Sequence, residues 1–356
     1  MGVTTNLTDV AVGHLAGRDR EGRPQIVCLL KATFEWDEQG ATRRTSPTAP
    51  IRFVDEYAGE PAVSGLIRAA DLGPAKPRLD VLIEGAVLFP APIEEADVTL
   101  EIGSRLRKTV KVFGDRVWYA RPGSGVVPSR PKAAARVPIA WERSFGGRDP
   151  KDPMCVERRN PAGTGMCRDP GALLDHPAPS FEDPNEPLKS AKDRPPPRGF
   201  GPIAPHWLPR SKLAGTFDER WQKERWPLLP EDFDPAFFNV APDDQQLDRF
   251  IPGEEVRLTS MTVASRDRFL LPDLLVPVTF VSERTVFETA SAVDTLIIEP
   301  AARRFSLLAR ATFSPRPTIL ALREIVVGEP SMGRRRAIAA GKRYLAPTRA
   351  RAREPA

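Results

Sequence analysis

Side chains able to do chemistry are few in this chain, and their spacing decides little in favour of catalysis. Imidazole is the usual general base near neutrality, yet only His14, His176 and His206 exist. His14 lies in a polar N-terminal stretch, His176 precedes a proline, and His206 sits between Pro205 and Trp207. None shows the spacing of a metal pair or a triad. The one enzymatic arrangement worth carrying forward is a loop-site hydrolase using His206 with Asp243 or Asp244, motivated by their place in one loop-rich region. Cys155 and Cys167 flank an Arg-rich loop, where cations could lower a thiol pKa, although a buried structural thiol is the simpler reading. The acidic set Glu231, Asp232, Asp234, Asp243, Asp244 and Asp248 could gather a hard cation through carboxylate oxygens, but it lacks the calcium-loop pattern. Gly163-Thr164-Gly165 and Gly199-Phe200-Gly201 lack a full phosphate-binding fingerprint and read as turns. No catalytic residue, no metal site and no cofactor is expected.

What must position these residues is a β framework. Proline, at 39 residues, interrupts helix interiors and leaves few short helices. From Gln25 to Trp36, Cys28, Leu30, Ala32, Phe34 and Trp36 recur at period two, which puts them on one strand face. Further strands are expected over 80–89, 98–102 and 107–113, the last running through Gly114-Asp115-Arg116 into a hairpin with Val117-Trp118. After Pro252 the pattern returns at 255–264, 276–281, 284–288, 295–298, 305–313 and 318–327. Ser282-Glu283 and Glu299-Pro300-Ala301-Ala302 read as hairpin connections. The segment Leu30-Lys31-Ala32-Thr33-Phe34 echoes Ala309-Arg310-Ala311-Thr312-Phe313, so the two β parts are either related or share a sheet, unless both are ordinary strands with a snorkelling cation. The fold class is therefore mainly β: an antiparallel sandwich or barrel-like core.

Four parts follow: an N-terminal β part over 1–137, a loop-rich region over 138–250, a C-terminal β part over 251–330 and a basic, flexible tail over 331–356. Loops beyond ~15 residues in a compact protein are functional or disordered. This one is dense in Trp and Phe, which disordered segments lack, so it is expected to fold against the core. Inside it Thr216 is the expected N-cap, with Glu219 completing a capping box, of a helix reaching about Arg225 before Trp226-Pro227. The net charge of +5 comes from the tail, where Arg334, Arg335, Arg336, Lys342, Arg343, Arg349, Arg351 and Arg353 face a single Glu. A solvated tail explains that run better than nucleic-acid binding does. Three cysteines without CxxC spacing fit a reducing compartment, and no secretory signal or apolar run of membrane-spanning length is present.

Motifs in series then become legible: Pro138-Ile139-Ala140-Trp141-Glu142-Arg143-Ser144-Phe145-Gly146-Gly147, Glu157-Arg158-Arg159-Asn160-Pro161 with Gly163 and Gly165, and Gly199-Phe200-Gly201-Pro202 with Trp207. Ala214-Gly215-Thr216-Phe217-Asp218 with Trp221 follows, then Phe237-Phe238-Asn239, Ala241-Pro242 and Asp244-Gln245-Gln246. Together with Lys76-Pro77, Asp80-Val81, Gly114-Asp115-Arg116 and Trp118, the series resembles the uncharacterised-domain family found among type VI secretion genes, over about 25–327. The resemblance implies a cytoplasmic bacterial adaptor or chaperone that binds an effector carrying a PAAR domain and helps load it onto the VgrG spike. It implies no catalytic residue and leaves the tail after Met332 uncovered. The residues expected to fix the loops or touch the partner are Trp141, Glu142, Arg143, Phe145, Arg158, Arg159, Asn160, Arg198, Phe200, Trp207, Phe217 and Trp221. An exported structural spike component is the third reading.

Overall fold

The computed structural model describes residues 3–315, 321–342 and 344. Three sheets dominate. The largest has seven strands, in the order Gln246–Leu247, Leu79–Ile83, Ala292–Glu299, Arg304–Phe313, Pro24–Trp36 and Ala11–Arg18, with Thr42–Arg44 also on Pro24–Trp36. A five-stranded sheet runs Phe181–Glu182, Leu106–Phe113, Glu95–Ile102, Glu255–Thr259 and Arg266–Leu270. A four-stranded sheet runs Val3–Asn6, Leu322–Val327, Pro277–Ser282 and Val286–Ala290. One apolar cluster draws on all three, from Leu30 and Phe305 through Leu100 and Phe269 to Phe280 and Ile325. The sheets thus share a common core, and among the described residues no ring of strands closes into a barrel.

The period-two face of Pro24–Trp36 lies in this core: Cys28, Leu30, Ala32, Phe34 and Trp36 are all buried there. Phe269 joins the two larger sheets by stacking on Trp36 at 4.5 Å and on Phe305 at 4.6 Å between ring centroids. The opposite face is covered too, because Leu29, Leu82, Ile297 and Leu308 pack under Trp141, Ile203, Trp207 and Val240 of the central region. A strand buried on both sides reads as a near-continuous apolar run, as this one does.

Several expectations are corrected. The seven-stranded sheet is mixed, since Leu79–Ile83 runs parallel to Ala292–Glu299, and so is the four-stranded sheet, where Val3–Asn6 runs parallel to Leu322–Val327. Strands so distant in sequence are not bound to hairpin geometry. Leu106–Phe113 pairs with Glu95–Ile102, not with Trp118–Arg121, which pairs with Gly125–Pro128. Segment 80–89 divides at Gly85 into strands of different sheets. The connections at 283–285 and 300–303 do join antiparallel neighbours.

The echoing segments are adjacent strands of one sheet, Leu30 opposite Ala309 and Lys31 opposite Leu308. Their cations do not snorkel. Lys31 is buried on Asp71 at 2.6 Å, and buried Arg310 pairs with Asp294. Of the expected flexible tail, Met332–Ala339 is a helix with a Ser331 N-cap, and its Arg334 bonds Thr5 at 3.3 Å. Arg343, Arg349, Arg351 and Arg353, like residues 318–320 of the expected strand 318–327, lie outside the described residues. No described helix is long and apolar enough to cross a membrane.

Candidate functional site

The central region is built as a frame of buried motif residues that presents a small exposed tip. At the heart of the frame, Asn160 is fully buried and its Nδ2 donates to the carbonyls of Trp141 at 2.8 Å and Phe145 at 3.0 Å. Trp141 donates from Nε1 to Pro202 O at 2.8 Å and meets Trp207 edge-on at 6.3 Å. Glu142 accepts the Gly65 amide at 2.6 Å, while its other oxygen is buried without a partner. A Cβ on Gly65 would lie 2.8 Å from that oxygen, so any other residue there would have to shift the Glu142 carboxylate. Arg143 reaches Asp115 and Ser180 Oγ, and Phe145 packs with Trp118 and Cys167 in a third apolar cluster.

Arg198 joins Asp183 and Asp244, the latter at 3.1 Å, so it clamps three stretches of loop. Behind it lies Lys108, which the sequence reading missed. Its Nζ donates to Gly199 O at 2.6 Å, Gln245 Oε1 at 2.7 Å and Asp244 Oδ1 at 2.8 Å, beneath the buried Phe200 ring. Burial pushes this ammonium down to about 8, with Asp244 pulling the other way. Asp80 has the same role on Leu79–Ile83, accepting from Lys76, Asn239 and the Val240 amide. A signal was present in the sequence: Lys108 is a lone cation among core-facing residues of an alternating strand.

The other chemistry-bearing groups do not converge. His206 Nε2 accepts from Trp207 Nε1 at 3.0 Å, and partial burial followed by Arg210 holds the imidazole below its ordinary range. Asp244 is engaged by Lys108 and Arg198 instead. Burial pushes the Cys167 thiol up even with Arg194 beside it, in keeping with the simpler reading of a buried structural thiol, and Cys28 is driven to about 12. Among the described residues no cluster of His, Cys, Asp and Glu has the geometry of a metal site.

Of the residues expected to fix the loops or touch the partner, Trp141, Phe145, Asn160, Phe200 and Trp207 are buried. Arg158 and Arg159 are exposed, Arg159 on Glu157 at 2.7 Å. Phe217 is 56% exposed, Trp221 is half-buried, and Trp226, which the sequence reading did not select, is 67% exposed. These three rings sit on segment 216–232. The helix there is Glu219–Glu224, capped by Asp218 through the Trp221 amide at 2.8 Å. The expected cap, Thr216, instead bonds Asp232 from its amide at 2.9 Å and its hydroxyl at 2.7 Å, closing the base of the tip. Trp221 Nε1 donates to Leu228 O at 2.9 Å, and Arg225 ties the segment to Arg20 O at 2.9 Å on the 19–23 turn. Trp221 is thereby pinned, and the exposed Phe217 ring meets it edge-on at 4.7 Å between centroids.

Residues 21–310 match the family described as an uncharacterized protein conserved in bacteria, DUF2169. The chain belongs to the DUF2169 family. No curated protein and no solved structure matches it. The DUF2169 match takes in the buried frame, the exposed tip and the central strands of the seven-stranded sheet, and it ends before the helix Met332–Ala339.

Proposed function

We infer that this DUF2169 protein is a cytoplasmic type VI secretion adaptor that binds a PAAR-containing effector and helps load it onto the VgrG spike. The observation that carries the reading is the contrast between a frame of buried motif residues and one hydrogen-bonded tip on which Phe217 and Trp226 are exposed beside the half-buried Trp221. Large rings held open to solvent cost hydration and bring no folding benefit, and aromatic anchors of this kind dominate protein interfaces. The resemblance of the motif series to secretion-associated proteins supplies the partner class. The adaptor carries out no reaction in this reading, and the buried polar groups serve to hold the tip.

Co-purification of the tagged chain with the PAAR effector encoded beside its gene tests the proposal. The Phe217→Ala/Trp226→Ala double variant is expected to lose capture about tenfold or more while its melting temperature stays near that of the wild type. Undiminished capture by a variant in which the whole Trp141 to Gln246 region is exchanged would remove the site. Finding the chain in cells and never in the secreted fraction would separate an adaptor from an exported spike component.

A further inference from the structure

Beside the Trp221 ring the tip encloses a groove of about 290 Å³ whose charged lining is Asp218, Glu224, Glu231 and Asp232 against Arg220 and Arg225. We propose that this groove receives a cationic segment of the partner, a short run of Lys or Arg beside one apolar anchor. The proposal rests on the adaptor reading of the same surface and adds the chemistry of what docks there.

The lining carries two more negative charges than positive ones, and its cations are already engaged, Arg220 by carboxylates of the tip and Arg225 by backbone carbonyls. Arg220 lies 3.0 Å from Glu224 and 4.0 Å from Glu231, while Arg225 donates to Leu229 O at 3.0 Å and to Arg20 O at 2.9 Å. The carboxylates retain acceptor capacity: Asp218 serves one backbone amide, Asp232 serves Thr216 alone, and the Glu224 and Glu231 side chains are 65% and 71% exposed. Thr216 also keeps the Asp232 carboxyl below the usual carboxylate range, so it is ionised at neutral pH. The aromatic residue in this lining is the half-buried Trp221, and the Trp226 amide bonds Trp221 O at 3.0 Å. An aromatic face beside carboxylates attracts an ammonium or guanidinium by two mechanisms at once, charge pairing and cation–π attraction. The chain as a whole carries +5, so overall charge would repel such a ligand and any preference for it has to arise locally.

The test uses the full chain and two fluorescein-labelled probes, a tryptophan-containing oligolysine peptide and its oligoglutamate counterpart, titrated at low salt by anisotropy. The oligolysine probe is expected to bind about tenfold more tightly. Glu224→Lys/Glu231→Lys, at two exposed positions, is expected to reverse that order, and Phe217→Ala/Trp226→Ala to weaken the oligolysine probe. Equal binding of both probes, or an order unchanged by charge reversal, overturns the proposal. Effector capture then separates the two readings. Capture that survives charge reversal but fails with the ring variant overturns the cationic segment and leaves the adaptor, whereas capture unaffected by either variant overturns both.

Discussion

Asn160 shows how little of a residue's role its type declares. The sequence leaves open whether it fixes the loops or touches the partner, and both of its amide hydrogens are spent on the Trp141 and Phe145 carbonyls inside the frame. Asn160→Leu would leave the Phe145 carbonyl without its donor and the Trp141 carbonyl with the Ser144 amide at 3.1 Å, and it is expected to cost about 1–3 kcal/mol in urea unfolding. A cost below about 0.5 kcal/mol would contradict the frame assignment. Lys108 makes a prediction with a definite sign. Its folded value near 8 lies below the ordinary 10.5, so between those values the unfolded chain binds more protons and stability rises with pH. The stability difference between wild type and Lys108→Met should therefore move in favour of the wild type from pH 7 to pH 10, by roughly 2 kcal/mol. A difference that is flat across this range, or that moves the other way, would refute the assignment.

At the scale of elements, the frame and the tip should respond oppositely to loss of a ring. Trp207 is 1% exposed and lies over the seven-stranded sheet, so Trp207→Ala is expected to cost about 3–5 kcal/mol and to lower expression. Trp226→Ala, on the solvent side of the tip, is expected to change stability by less than about 0.5 kcal/mol while reducing effector capture. Equal destabilisation by both would mean that the tip is part of the core. The helix in the tip also shows where local signals compete. Thr216 and Asp218 are both good caps, and the choice fell to Asp218 because Thr216 was drawn to Asp232, sixteen residues away.

Across the whole molecule, strands from both ends of the chain alternate within the sheets: Pro24–Trp36 pairs with Arg304–Phe313, Glu95–Ile102 with Glu255–Thr259, and Val3–Asn6 with Leu322–Val327. One core cluster joins them, so unfolding is expected as a single transition with coincident tryptophan fluorescence and far-ultraviolet dichroism curves. Separated curves would show that the N- and C-terminal β parts are independent units. Period-two alternation in 25–36, the excess of proline and the ring-rich middle were enough to establish a mainly β chain whose irregular centre is folded, because burial of alternate side chains is a local pattern. The strand partners were not legible there. Residues 79–83 and 292–299 carry nothing that announces their parallel pairing, which depends on closing a core between segments over two hundred residues apart. Nor could composition separate buried Trp207 from exposed Trp226. The rings are chemically the same, and only the tertiary structure decides which one lies under the loops and which one meets water.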